Sequence, residues 1–313
     1  MIVDLPNTTI SKVSKQLVQI REQGGAVALG RVLTLVIQTN LDGLENAIKA
    51  ANESSHEHPC RVIVLAEDNT DAATAENRLD AQIRIGGDAG ASEVIVLRAF
   101  GEVSDDPESL VTGLLLPDAP VVAWWPGIAP DKPSTSAIGR IAQRRITDAA
   151  KQPDPHGWLT NLAKNYSPGD SDFAWTRLTV LRTQLATMLD QPPYDKVLGA
   201  EIVGSTDSPS VDLLAAWLEL KLKIKVKIVR TTPAKSVNVI KSIKLLRKSG
   251  DVEINRDILD KAILIQPSQP TREISLPRHS LRDCLSEDLR RLDPDDLFGE
   301  VITKSFGATA KKK

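Results

Sequence analysis

Cysteine is nearly missing from this chain. Cys60 and Cys284 are the only two in 313 residues, too few for the bridged framework of a small secreted domain and a pattern at home in a reducing cytoplasm. Long apolar runs are missing as well. The longest, LLAAWL at 213–218, spans six residues, where a membrane-crossing helix needs roughly 20. The opening MIVDLPNTTISKV has no basic stretch followed by an apolar one, so no secretory leader is expected. A net charge of −2 gives no bulk field that would draw nucleic acid or a membrane surface.

Motifs of catalysis are also lacking. The sequence holds no GxGxxG, no GK[ST] and no GxSxG, and its four histidines are scattered. HEHPC (56–60) brings His56, His58 and Cys60 close together, but His156 and His279 lie far off. The four ligands of a structural zinc site are therefore not assembled, and no metal is assigned. The acidic clusters SDDPE (104–108) and DPDD (293–296) fit helix N-termini, where Asp accepts free N–H groups. No catalytic, cofactor-binding or metal-binding residue is expected.

The chain's length suits two domains with real cores. Ile10, Val13, Leu17 and Ile20 recur at helical spacing. RVLTLVIQT (31–39), RVIVLAED (61–68), LDAQIRI (79–85), SEVIVLRAF (92–100) and APVVAWW (119–125) read as strands, several as the continuous apolar runs of a buried parallel sheet. Between 128 and 192 no strand is expected, only loops and helical pieces such as AIGRIAQRRITDAA. A second succession follows: strand DKVLGAEIVGS, helix VDLLAAWLEL, strand KLKIKVKIV, a hairpin around Lys248–Asp251, strand KAILIQ and closing helices. The fold class is α/β, with two domains, each a mostly parallel or mixed sheet flanked by helices, and a helical connection between them. The expected boundaries are 1–165 for the N-terminal domain with the start of the connection and 166–303 for the C-terminal domain. Residues 304–313 are expected to form a disordered basic tail.

Three features could carry function. GGDAGA (86–91) could cradle a phosphate or simply supply the positive φ angles of a turn. From Leu220 to Gly250 there are ten Lys or Arg and no acid. Within that stretch Lys221, Lys223, Lys225 and Lys227 alternate with apolar residues, so a strand would line them up on one face about 7 Å apart. Such a row can guard a sheet edge or meet a protein partner. No aromatic interleaves it, which removes the stacking platforms that nucleic acid would use. Trp124 and Trp125 end their strand at Pro126-Gly127. Alternation sends them to opposite faces, and at least one is expected to be reachable, with Trp125 the candidate for docking.

HPCRVIVLAED, LDAQIRIGGDAGASEVIVLRAFGE, LLLPDAPVVAWWPG and, above all, YSPGDSDFAWTRLTVLRTQLATMLDQPP resemble the glucose-6-phosphate dehydrogenase assembly protein family (OpcA), in its actinobacterial form. The likeness runs from about Leu33 to about Ile302. It implies a cytoplasmic, non-catalytic partner that binds glucose-6-phosphate dehydrogenase and raises its activity, on the oxidative pentose phosphate route to NADPH. Members from photosynthetic bacteria are linked to redox control by cysteines towards the C-terminus; here Cys284 stands alone there, which puts a thiol switch in doubt. The alternative is a sugar-phosphate or nucleotide-binding enzyme gripping its ligand with loop 86–91.

Overall fold

The structure is a computed structural model that describes residues 1–23, 32–67, 76–86, 93–232, 240–256 and 260–307. Loop 86–91, apart from Gly86, and the last six residues of the expected tail lie outside them. The chain divides into two compact units. The first is Met1–Asp148 with Ser167–Ser171 and Leu281–Asp295; the second is Ala149–Tyr166, Asp172–Ser280 and Asp296–Lys313. Neither unit is continuous in sequence.

The first sheet has eight strands: β1 (Ile2–Leu5), β2 (Leu33–Asn40), β3 (Cys60–Glu67), β4 (Arg78–Ile85), β5 (Glu93–Phe100), β6 (Val121–Trp124), β7 (Arg144–Thr147) and β8 (Asp170–Asp172). Their spatial order is β1-β4-β5-β3-β2-β6-β7-β8. β5, β3, β2, β6 and β7 run parallel, and β4 closes one side antiparallel. β2 and β3 are buried almost from end to end. That is why they read as unbroken apolar runs: helices cover the faces of a parallel sheet. The helix Leu41–Ser54 packs on both strands and buries Leu44, Ala47, Ile48 and Ala51.

β7 and β8 correct the expectation of a strandless stretch between 128 and 192. Arg144 and Arg145 look like the polar face of a helix, yet both are 6% exposed. Arg145 Nε donates to Asp170 at 2.5 Å and its other nitrogens to the carbonyls of Ala142 and Pro168. Arg144 is paired with Asp288, which also accepts from Ser171 Oγ at 2.6 Å. Buried charge is tolerated when it is paired and hydrogen-bonded this way. The same device recurs on β3, where Arg61 Nε donates to the wholly buried Glu93 at 2.9 Å and Arg61 Nη1 donates to the carbonyl of Leu114.

The second sheet has β9 (Gly199–Ser205), β10 (Val226–Thr231), β11 (Ile240–Leu246), β12 (Val252–Asn255), β13 (Lys261–Ile265) and β14 (Arg272–Ser275), in the order β10-β9-β11-β12-β13-β14. β9 and β10 are parallel, joined through the helix Pro209–Leu222, and the rest are antiparallel. Burial alternates along the strands: Ile202, Ile243, Leu245, Val252, Ile254 and Leu264 are core. The other face carries a row of registered charges, Lys227, Glu201, Lys244 and Glu253, bridged in turn at 2.8 Å between Lys227 and Glu201 and 3.2 Å between Lys244 and Glu253. The chain is thus α/β with two sheets, both of mixed direction. Within the expected tail, Lys304 belongs to a π-helical turn, Ile302–Phe306, and donates to Glu300 at 2.9 Å, so the order extends further than expected.

Asp288→Ala should test the buried pairs. It strands the Arg144 guanidinium in the interior, and the loss should be about 3–5 kcal/mol of unfolding free energy, read from the urea midpoint. A loss under about 1 kcal/mol would mean that water reaches the arginine.

Candidate functional site

In chain order the five parallel strands of the first unit stand 3-2-1-4-5, with β2 as the first. That is the dinucleotide-binding arrangement, in which ligands lie beyond the carboxyl ends of the strands at the switch point, here between β2 and β6. The sequence alone shows no glycine fingerprint that would have drawn attention to this place.

What occupies the switch point is side chain. Ile37 pairs with Trp124 in register, so Trp125 continues the ladder beside Gln38, its amide donating to the carbonyl of Ile146 at 3.0 Å. The Trp125 indole N–H donates to Gln38 Oε1 at 2.9 Å. Gln38 Nε2 in turn donates to Glu67 Oε1 at 2.6 Å. One polar thread therefore ties the carboxyl ends of β6, β2 and β3. Both tryptophans are buried, Trp124 at 0% and Trp125 at 1% exposure. This corrects the expectation that one ring is reachable. Alternation does send them to opposite faces, but both faces are covered.

The residues here do not fit a dinucleotide. Its pyrophosphate needs free N–H groups at a helix start and glycines that let the backbone come close. β2 runs straight into the helix Leu41–Ser54 without a glycine-rich turn. The Asn40 side chain already accepts from Gly43 N at 2.9 Å, and Asp42 places a carboxylate in the first turn, where it would repel a second anion. Glu67 ends the second parallel strand, the place of the ribose-binding acid in dinucleotide enzymes, but it is engaged by Gln38.

The lysine stretch does not form one strand. Helix Pro209–Leu222 continues through Lys221, and Lys223 caps it in the left-handed region at φ 55°. Lys225 lies in the connection, and only Lys227 is on β10. The apolar residues that suggested strand alternation up to Leu222 belong instead to the helix, whose Leu213, Leu214 and Leu218 are core. All four lysines are exposed, but two are paired: Lys221 with Glu300 at 2.5 Å and Lys227 with Glu201 at 2.8 Å. Hydrogen bonds from Lys221 and Lys304 hold the Glu300 carboxyl far down, at about 2. Lys223 and Lys225 have no acidic partner among the described residues.

Lys225 borders an apolar edge. Ala200 N donates to the carbonyl of Lys225 at 3.2 Å, and Leu198 N to that of Leu246 at 2.8 Å. Leu198 is 56% exposed, Leu246 39%, and Tyr194 on the same segment 74%. The exposed Lys196 and Lys248 stand nearby in sequence. Arg247 and Ser249 fix this segment by hydrogen bonds to Pro193 O and Asp195. Exposed apolar side chains beside charged ones, here lysines and Asp195, have the make-up of a docking surface.

Comparison with known proteins follows this geometry. The model of the glucose-6-phosphate dehydrogenase subunit N-terminal domain matches residues 51–164, and that of the C-terminal domain matches residues 168–302. The chain belongs to the OpcA glucose-6-phosphate dehydrogenase assembly family. No curated protein matches it. The crystal structure of an oxidoreductase from Sinorhizobium meliloti aligns over 90% of this chain and 97% of its own, with 10% identity and a TM-score of 0.51, a likeness of fold alone. Biliverdin reductase from Synechocystis sp. PCC 6803, solved with biliverdin and NADP+, covers 90% of this chain and 99% of its own at 10% identity and a TM-score of 0.46. An OpcA-family chain thus carries a sheet order of the dinucleotide type with the switch point filled by its own side chains.

Removing the filling should be costly. Trp125→Ala should lower the unfolding free energy by about 3–5 kcal/mol through the cavity it leaves, measured by urea denaturation. A loss below about 1 kcal/mol would show that the crevice collapses around the gap. Glu300 gives a second expectation, with its sign fixed by the direction of the shift. Its folded pKa of about 2 lies below the ordinary 4.5, so its stabilising effect is present above pH 4.5 and fades as pH falls towards 2. Glu300→Gln should flatten that limb of the melting temperature against pH and leave its shape above pH 6 unchanged.

Proposed function

We propose that this chain is a non-catalytic subunit that binds glucose-6-phosphate dehydrogenase in the cytoplasm and raises its activity, serving the oxidative pentose phosphate route to NADPH. The observation that carries the reading is the family match over most of the chain. The filled switch point supports it, because Trp125, Gln38 and Asn40 hold the place where a dinucleotide enzyme of this sheet order keeps its cofactor. Activation would come from differential affinity. The subunit binds one conformation of the dehydrogenase better, and can shift the equilibrium only by that difference.

The docking surface in this reading is the edge formed by Leu198, Leu246 and Tyr194 with Lys223 and Lys225, set against an apolar patch with an acidic rim on the dehydrogenase. The apolar centre holds the complex and the lysines steer its formation. Lys221 and Lys227 contribute less, since Glu300 and Glu201 already neutralise them.

Recombinant chain alone should not turn over glucose 6-phosphate with NADP+, while adding it to the cognate dehydrogenase should lower KM or raise kcat. Leu198→Asp should weaken the complex at least tenfold, about 1.4 kcal/mol, with a normal melting temperature. Lys223→Gln with Lys225→Gln should slow association at low salt and flatten its salt dependence, leaving dissociation nearly unchanged. Unchanged dehydrogenase kinetics at saturating, demonstrably bound chain would overturn activation; undiminished affinity of Leu198→Asp would move the interface elsewhere.

A further inference from the structure

The first sheet ends in a free edge. β1 is its outermost strand, hydrogen-bonded only to β4 among the described residues. Met1 and Ile85 exchange both backbone bonds, Met1 N donating at 2.8 Å and Ile85 N at 2.9 Å. With Ile2 opposite Arg84 and Asp4 opposite Gln82, antiparallel alternation makes those two pairs the unbonded ones. The backbone N–H and C=O groups of Ile2 and Asp4 therefore point away from β4, at the spacing a further strand would meet.

A groove lies beside this edge. The helix Ile10–Gln23 buries Val13, Leu17 and Ile20, and Arg21 near its end donates to Glu93 at 2.9 Å. Glu93 pairs with Ile85, and Ile83 with Val3, so the helix lies on the face that Val3 and Leu5 share. Between helix and strand is a groove of about 370 Å³, lined by Leu5, Lys12, Lys15, Gln16 and Gln19. Its one acid, Asp4, accepts from Gln82 Nε2 at 2.7 Å, which holds the carboxylate towards the opposite face. Lys12 and Lys15 are exposed and have no acidic partner among the described residues.

Chemistry narrows the occupant. An extended segment laid in the groove meets backbone partners on one side and two ammonium groups on the other. That is strand addition beside a helix, a recurring mode of peptide recognition. Lys12 and Lys15 stand about 5–6 Å apart at Cβ, and alternate side chains of a strand about 7 Å apart. Their long side chains can therefore reach acids two residues apart. The side chains between those acids fall on the Asp4 face, next to Ile2, which is 50% exposed. There a carboxylate is repelled and an apolar group is favoured. β1 is only four residues long, which limits pairing to a brief stretch and guards against open-ended aggregation. We propose that this edge binds an extended segment of a partner protein, acid–apolar–acid in pattern, as an added strand held by Lys12 and Lys15.

Binding can be tested on the full chain without any dehydrogenase, so the result stands apart from the proposed partnership. The probe is a fluorescent seven-residue peptide of alternating Glu and Val, followed by anisotropy. Saturable binding is expected, with slower hydrogen exchange at the Ile2 and Asp4 amides. A peptide of the same composition with its Glu residues in one block should bind about tenfold more weakly. Lys12→Gln with Lys15→Gln should cost at least as much at an unchanged melting temperature, since both side chains are exposed. N-methylating alternate peptide bonds separates strand pairing from charge alone: one set should abolish binding and the other leave it nearly intact. No saturation up to about 1 mM peptide would overturn the site, as would equal binding by the two N-methylated sets. A chain that sediments as a dimer, and as a monomer once both lysines are replaced, would give the edge to a second copy and overturn the peptide assignment.

Discussion

The hydrogen bond from the Trp125 indole to Gln38 closes the one place where a doubly wound sheet is open by construction. Strand order reverses between β2 and β6, so the connections leave in opposite directions and a crevice forms beyond the carboxyl ends. A crevice must hold a ligand, water or protein. Here it holds an indole whose only polar atom is satisfied, and the acceptor passes the bond on to Glu67 across the neighbouring strand. Because the ring is large and fully buried, the ends of three strands are fixed together. The helix that follows β2 can then begin at once, capped by Asn40, without a glycine-rich turn. The place that would otherwise receive a cofactor becomes part of the core.

A second constraint is charge inside that sheet. Glu93, Asp170 and Asp288 are each 2% exposed or less, and each meets an arginine that is itself almost fully buried. At Asp170 the balance is visible. Burial pushes its carboxyl up even with the Arg145 guanidinium against it, so desolvation outweighs the ion pair's pull there. Such pairs add little net stability, yet removing one partner leaves the other uncompensated. Their effect is to make the pairing of β7 and β8 depend on particular partners, Asp288 and Asp170, drawn from distant parts of the chain.

This explains what could be read from the residues and what could not. β2, β3, β5 and β6 were legible because burial on both faces forces continuous apolar sequence. The hairpin of β11 and β12 was legible from Lys248–Asp251, where Gly250 takes φ 118°. β7 and β8 were hidden because RRIT and DSD look solvent-loving until their partners are known. β1 and β14 are four-residue edge strands, too short to show a period. The lysine row misled for a different reason. Alternation in KLKIKVKI is real, but the helix carries on to Leu222 and stops at Lys223 in a left-handed cap, a conformation that glycine usually signals. The adjacent tryptophans were located correctly at the strand end; what one strand cannot reveal is that both faces of its sheet are covered.

The proposed docking edge lies in the second unit, and there the sequence gives almost no warning. Leu198, Leu246 and Lys225 are brought together by strand register. The group has no spacing that a motif could capture, because it depends on pairings between segments distant along the chain. The first unit shows the reverse: its sheet order points to a ligand position, and the local residues fill it. Topology alone is therefore a poor guide, since the strand order says where a ligand could sit while Asn40, Asp42 and Trp125 do not fit a dinucleotide there. Function has to be argued from the side chains at each site.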